Sequence, residues 1–183
     1  MSKHDFEIKS LVLIVLIGYS LNFVLTFFGY VFNHETSREL LFYQIANAFA
    51  ISASVMAGRY VGLRGQHVAA SAYILLGIAH GISLAALSRS GINADRGIMM
   101  AIPMIPSFIF IFWCTLYPMW LRLAGLIPSG LILFVFVSVQ SGDSYFGAAL
   151  STAYASLQII ELTWGYFLFR NWRHSIAADR NMK

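Results

Sequence analysis

The stretch SAYILLGIAHGISLAALS, residues 71–88, is an almost unbroken apolar segment with one imidazole, His80, near its middle. An uncharged apolar stretch of about 18 residues or more is long enough to cross a bilayer as a helix. The stretch therefore predicts a membrane span that carries a histidine in its interior. An ionisable side chain in that position needs a structural or functional reason.

The composition of the whole chain agrees with this prediction. Of its 183 residues, 58% are hydrophobic and only 11% are charged, whereas soluble domains contain roughly 25% charged residues. These values predict an all-α, polytopic membrane protein whose main partner is the lipid bilayer. The net charge is +4, but the basic residues are spread over loops and chain ends, so nucleic acid is not expected as a partner.

Charged boundaries divide the chain into six apolar segments, each long enough to span a membrane. They are residues 10–32, 40–58, 67–88, 97–118, 123–141 and 144–169. The connecting loops are short. We therefore expect residues 1–183 to form a single transmembrane domain, a bundle of six helices with short N- and C-terminal tails.

The lysines and arginines predict the orientation of this bundle. Three basic residues fall on one side: Arg38, Arg89 and Arg96. Nine fall on the side of the termini: Lys3, Lys9, Arg59, Arg64, Arg122, Arg170, Arg173, Arg180 and Lys183. Because basic residues accumulate in cytoplasmic loops, both termini are predicted to be cytoplasmic, in an inner or plasma membrane.

The two halves of the chain show one local similarity. At an offset of 81 residues, SAYILLGIAHG from Ser71 aligns with TAYASLQIIEL from Thr152, and His80 falls opposite Glu161. Three spans in each half would make the halves an inverted repeat. The other span pairs show almost no similarity, so chance resemblance between apolar helices remains the alternative.

Glu161 is the most informative polar residue of the chain. It lies within LQIIELTWGYF, and the next basic residue, Arg170, is about 13 Å further along a helix. Because burial disfavours the charged form of a carboxyl group, we expect Glu161 to be neutral unless a cation or a hydrogen-bond donor reaches it. Ionisable groups inside membrane helices are costly and commonly functional.

Other polar residues are predicted to lie near Glu161 and His80. Tyr154, Gln158 and Glu161 share one helix face by their three- and four-residue spacing, and Asn22 and Asn47 lie at a similar level in the first two spans. The predicted ligand or ion cavity therefore comprises six residues: Asn22, Asn47, His80, Tyr154, Gln158 and Glu161. The alternative is that these groups only tie helices together, at about 0.6 kcal/mol per hydrogen bond.

The fourth and fifth spans contain Pro103, Pro106 and Pro128, each of which removes a helix hydrogen bond. From Pro128 onward the fifth span is short for a straight crossing, so we expect it to be tilted or partly unwound. Short or Pro/Gly-interrupted spans point to transporter binding sites, most clearly when both halves of the chain contain them, and here the first half lacks matching breaks. In a transporter, these two helices are expected to supply the moving part. Ordinary packed kinks are the alternative.

Catalytic and cofactor signatures are missing from the sequence. Hydrolase, nucleotide and zinc motifs are absent, and His80 is the only deep histidine, whereas a b-type haem normally takes two. We therefore expect no cofactor, no metal and no catalytic residues. Cys114, the single cysteine, is expected to be a small buried side chain.

These observations favour a membrane protein that binds or transports a small solute or ion through a polar cavity at the midplane. The alternative is a non-catalytic membrane subunit or assembly factor, and a homo-oligomer or a membrane partner protein is compatible with both. An intramembrane enzyme ranks last, because helix rise places His80 and Glu161 about 10 Å apart in depth, beyond the reach that acid–base chemistry needs.

Overall fold

The computed structural model describes the backbone of residues 3–32, 36–90, 94–140 and 146–181 and, within these ranges, the side chains of 6–32, 37–85, 102–138 and 149–177. The described ranges contain helices and no strands, which confirms the all-α prediction. The helices are α1 (Lys3–Val31), α2 (Thr36–Leu63), α3 (His67–Ser90), α4 (Ala94–Ile111), α5 (Met119–Ala124), α6 (Leu126–Gln140) and α7 (Phe146–Asn181).

Four segments are long and apolar enough to cross a membrane, judged by length and composition. They are Phe6–Val31, Ser37–Leu63, His67–Ala85 and Met119–Ser138, the last of which joins α5 and α6. The described part of α4 contributes a shorter apolar segment, Ile102–Ile111. Helix α7 is long enough at 36 residues, but Gln158, Glu161 and several hydroxyl side chains make it less apolar than the others.

The fourth and fifth spans differ in shape from their prediction. Helix α4 continues through Pro103 and Pro106 but ends at Ile111, and residues 112–118 form turns that lead into α5. Pro128 lies in the first turn of α6, where a missing N–H removes no helix bond. Helices α5 and α6 meet at Gly125, whose backbone is itself helical (φ −61°, ψ −20°) and whose N–H bonds to the backbone oxygen of Leu121. The described part of the fifth span is therefore not unwound at the proline.

The helices form a closed ring around the bundle interior. Going round it, α1 contacts α2, α2 contacts α3, α3 contacts α4, α4 contacts α6, α6 contacts α7, and α7 returns to α1. In this order α3 and α7 lie on opposite sides of the ring. Long side chains of these two helices therefore meet only across the middle of the bundle.

The interior of the ring contains a large apolar core together with a few buried polar side chains, and many large apolar side chains are exposed on its outside. Asn22, His80 and Glu161 are buried, whereas large apolar residues such as Ile78 and Phe134 are exposed. Apolar residues exposed on every long helix would be unfavourable in water but are well solvated by lipid tails. The exposed apolar surface, together with helices long and apolar enough to span a bilayer, suggests a membrane protein.

Two glycines let α1 approach its neighbours closely. A side-chain carbon at Gly18 would lie 2.8 Å from Cβ of Ala53 on α2, and one at Gly165 of α7 would lie 3.3 Å from the ring of Tyr19 on α1. Gly77 has only ordinary contacts with α2, and an added carbon at Gly81 would meet nothing within 4 Å.

Candidate functional site

His80 and Glu161 form a direct contact in the bundle interior. Nε2 of His80 lies 2.7 Å from Oε1 of Glu161, and the two side chains are 4% and 0% exposed. The contact joins α3 to α7, the helices on opposite sides of the ring. The depth difference of about 10 Å expected from helix rise is therefore wrong. Counting residues along two spans gives comparable depths only if both helices have the same tilt and start at the same level. Helix α7 extends well beyond the predicted span, so this condition does not hold.

Two asparagines complete the contact on either side. Asn22 Nδ2 donates to Glu161 Oε2 at 3.0 Å, and Asn47 Oδ1 lies 3.1 Å from His80 Nδ1. We call Asn22, Asn47, His80 and Glu161 the interior network. Its members come from α1, α2, α3 and α7, so it connects four of the helices that form the ring.

The hydrogen bonds determine how many protons the network holds. Asn47 Nδ2 donates to the backbone oxygen of Tyr43 at 2.8 Å, so Oδ1 of Asn47 faces His80 and accepts a hydrogen bond from its Nδ1–H. Oε2 of Glu161 likewise accepts from Asn22. A single proton is then shared between His80 Nε2 and Glu161 Oε1, as imidazolium with carboxylate or as neutral imidazole with carboxylic acid. Both forms have zero net charge.

The remaining predicted site residues lie outside the interior network. Tyr154 is hydrogen-bonded to Ser83 of α3 and lines a small apolar cavity of about 10 Å³ together with Met104, Ile132 and Leu157. Such a volume is about that of one water. Gln158 is half-buried on α7 and takes no part in the network. The structure thus brings together four of the six predicted residues, packed against one another.

A second cavity opens at the surface between α1 and α7. It has a volume of about 560 Å³ and is lined by Lys9, Leu13, Phe169, Trp172, Arg173, Ile176 and Ala177. Neither this cavity nor the one beside Tyr154 contacts His80 or Glu161. In the part of the chain that the structure describes, no group of three or more His, Cys, Asp or Glu side chains could hold a metal ion.

Sequence reasoning missed an aromatic cluster next to the interior network. Trp164, one turn after Glu161 on α7, is packed against the rings of Tyr73, Phe108 and Tyr117. Tyr19, one turn before Asn22 on α1, is fully buried and hydrogen-bonded to Ser54. The sequence signal for both residues was their spacing. Trp164 is three residues from Glu161 and Tyr19 is three residues from Asn22, which puts each aromatic side chain on the same helix face as its network residue.

No family model, no curated protein and no solved structure matches this chain. The functional argument therefore rests on the geometry of the site.

Proposed function

We propose that this chain is a six-span integral membrane protein, with both termini in the cytoplasm of an inner or plasma membrane, that couples protonation of the His80–Glu161 pair to movement of a small solute or ion. The single observation that carries the proposal is the 2.7 Å contact of these side chains at 4% and 0% exposure. The four candidate membrane segments and the inward-facing polar residues support the membrane assignment.

The pairing of a histidine with a glutamate favours proton chemistry over a purely structural hydrogen bond between helices. A buried ion pair contributes little net stability, and apolar replacements of similar volume are often neutral or stabilising. Two amides would hold α3 to α7 without any titratable group. A carboxylate and an imidazole instead create a site whose charge changes when one proton enters or leaves, and intramembrane proton relays in transporters use these residue types.

The zero net charge of the pair explains how proton and cargo would be linked. Adding a proton gives imidazolium with carboxylic acid and a buried charge of +1; removing one gives imidazole with carboxylate and a charge of −1. Either charge is costly in a low-dielectric interior unless solvent or a counter-ion reaches it. Each protonation change would therefore favour an opened bundle, in which an anionic solute compensates the +1 state or a cation compensates the −1 state.

The moving part of this proposal is the junction of α5 and α6 at Gly125. Gly125 lies against Trp164, where an added side-chain carbon would be 3.1 Å from the indole ring, and Trp164 is one turn from Glu161 on α7. A change in the angle between α5 and α6 would act directly on the helix that carries the carboxylate.

The second candidate, a non-catalytic subunit or assembly factor, is favoured by one observation. Both ring nitrogens of His80 and both carboxylate oxygens of Glu161 have hydrogen-bond partners. A fully satisfied network is also what a structural tie between four helices requires. In this role the proton stays in place over the physiological pH range.

Infrared spectroscopy distinguishes the two candidates without a known substrate. The carboxylic C=O band of the purified protein in lipid is recorded from pH 4 to 10, and the same titration of Glu161→Gln is subtracted to isolate one group. We expect a band that changes reversibly with pH. A band that stays constant across the range, with Glu161→Gln folded, would contradict the proposed function and favour the structural tie.

A further inference from the structure

The surface cavity between α1 and α7 lies where two antiparallel helices diverge. Along α7, the contact with α1 passes from Asn22 with Glu161 to Leu16 with Gly165, so the two chains run in opposite directions. Beyond Gly165 the cavity separates them. Its volume of about 560 Å³ is within the range of about 300–1,000 Å³ that is typical of sites for small molecules.

The cavity has a basic end and an apolar end. Continuing the same antiparallel register puts Lys9 at the level of Arg173, and Leu13, one turn deeper, at the level of Phe169; all four side chains line the cavity. The apolar segment of α1 that is long enough to cross a membrane begins at Phe6. Leu13 and Phe169 therefore lie on the side of the lipid tails, and the basic pair lies near the level of the headgroups.

The third feature of the cavity is its indole. Trp172 is half-buried and lines the cavity, and its ring lies 5.7 Å from that of Phe169. Tryptophan is enriched at the boundary between lipid tails and water, because its ring is apolar and its N–H is polar. Its position agrees with a cavity that crosses this boundary.

The charges of the cavity favour an anion. The guanidinium of Arg173 lies 6.0 Å from the ring centroid of Phe169, which orients it on the cavity wall. Among the described residues that line the cavity none is acidic, and the carboxylate of Glu7, two residues before Lys9, contacts Arg59 of α2. Two positive groups from opposite helices thus face one space, and no described carboxylate lies between them.

We propose that this cavity binds one anionic phospholipid, whose phosphate lies between Lys9 and Arg173 and whose acyl chain follows Leu13 and Phe169. The proposal goes beyond the proposed function: it needs the chain to be in a membrane but does not need proton coupling. Guanidinium and ammonium groups are the usual partners of phosphate, and the apolar walls bury a chain that a free anion lacks. The proposed orientation puts this end of the bundle at the cytoplasmic leaflet, where anionic lipids are concentrated.

Quenching of Trp172 by brominated lipid tests the site. The protein is reconstituted into phosphatidylcholine vesicles in which a rising fraction of the lipid is phosphatidylglycerol with brominated acyl chains, and bromine quenches an indole on contact. The same titration of Trp172→Phe is subtracted to isolate one tryptophan. We expect half-maximal quenching at about a tenfold lower fraction of brominated phosphatidylglycerol than of brominated phosphatidylcholine, since two basic groups contribute.

Neutral substitutions show whether the preference comes from the cavity. Lys9→Gln and Arg173→Gln should each reduce it about fivefold. Arg170→Gln is the matched control, because it removes the same charge from the same end of α7. The guanidinium of Arg170 lies against Phe167 and does not line the cavity, so this variant should keep the preference. Circular dichroism in lipid establishes that each variant is folded.

Three results would overturn the proposal. Equal quenching by the two brominated lipids would show that the cavity does not select an anionic headgroup. An equal loss in Arg170→Gln and Arg173→Gln would show general attraction to a basic surface. Displacement of the brominated lipid by inorganic phosphate would assign the basic pair to a free anion. Each of these results would leave the proposed function intact, because that function depends on the Glu161 band.

Discussion

The imidazole of His80 and the carboxylate of Glu161 meet at 2.7 Å although their helices lie on opposite sides of the six-helix ring. Three residue pairs join these helices: Tyr73 with Trp164, His80 with Glu161, and Ser83 with Tyr154. Since the α7 partner moves back along the chain as the α3 residue moves forward, α3 and α7 are antiparallel. His80 and Glu161 are also the residues paired by the 81-residue offset, and a two-fold axis passing between them would produce such a contact. The inverted repeat itself stays a prediction.

Removing one member of this pair should destabilise the protein strongly. Glu161→Ala and His80→Ala each leave a buried polar partner unpaired, which costs about 3–5 kcal/mol for a buried pair. The double variant should lose less than the sum, since no ionisable member of the pair is left unpaired, although Asn22 and Asn47 each still lose one hydrogen bond. Unfolding by sodium dodecyl sulfate in mixed micelles measures these differences, and strictly additive losses would show that the two side chains do not interact.

Glu161→Gln should be far less destabilising than Glu161→Ala. A glutamine can accept from Asn22 through its oxygen and donate to Nε2 of a neutral His80, so the hydrogen bonds of the network are kept while its titration is lost. Comparing the two variants in the same unfolding assay tests this. A loss as large as that of the alanine variant would mean that the pair is present as imidazolium with carboxylate.

A methyl group at Gly18 should loosen the packing of α1 on α2. It would lie 2.8 Å from Cβ of Ala53 and 3.0 Å from the backbone oxygen of Phe49, so the helices must separate, and overpacking of this kind costs about 1–3 kcal/mol. Gly130→Ala is the control, because an added carbon there meets nothing within 4 Å. If both variants unfold at the same detergent fraction as the wild type, the close approach is not important for stability.

The ion pair between Arg59 and Glu7 should contribute little, in contrast to the interior pair. Its side chains are 57% and 48% exposed, and exposed ion pairs are worth about 0–1 kcal/mol because water and salt screen them. Glu7→Gln should therefore unfold almost as the wild type does. A loss of stability comparable to that of Glu161→Ala would contradict the expectation that water and salt screen the Arg59–Glu7 pair.

Cys114 should report unfolding. The thiol is 0% exposed in the turns between α4 and α5, so a maleimide should react slowly with the protein in lipid and rapidly once detergent unfolds it. Gel-shift labelling over time measures both rates. Fast, complete labelling of the folded protein would mean that residues 112–118 open readily.

The proposed orientation can be tested with two introduced cysteines in a Cys114→Ser background. Ser37, at the start of α2, and His174, near the end of α7, are both exposed and are predicted to lie on opposite sides of the membrane. A membrane-impermeant maleimide added to intact cells should label Ser37→Cys, and His174→Cys only after permeabilisation. Labelling of both from outside would contradict the six-span topology, and the reverse pattern would contradict the orientation.

Hydropathy and residue type along each segment were enough to predict the helical class and the polar residues that matter. Four of the six predicted site residues, Asn22, Asn47, His80 and Glu161, lie in one network because a polar group in an apolar helix must face inward to find a partner. Tyr154 and Gln158 have the same spacing along α7. They lie beyond the network because face periodicity does not specify which neighbour a residue meets.

The sequence by itself therefore determined the helical class, most of the apolar segments and the identity of the unusual polar residues. These features depend only on the residue types within each segment, which set its free energy of transfer from water to an apolar environment. Only the tertiary structure decided that His80 contacts Glu161, that Trp164 is packed against Tyr73, Phe108 and Tyr117, and that α5 and α6 meet at Gly125. Those features depend on the tilt, offset and neighbour order of six helices, which no single segment encodes.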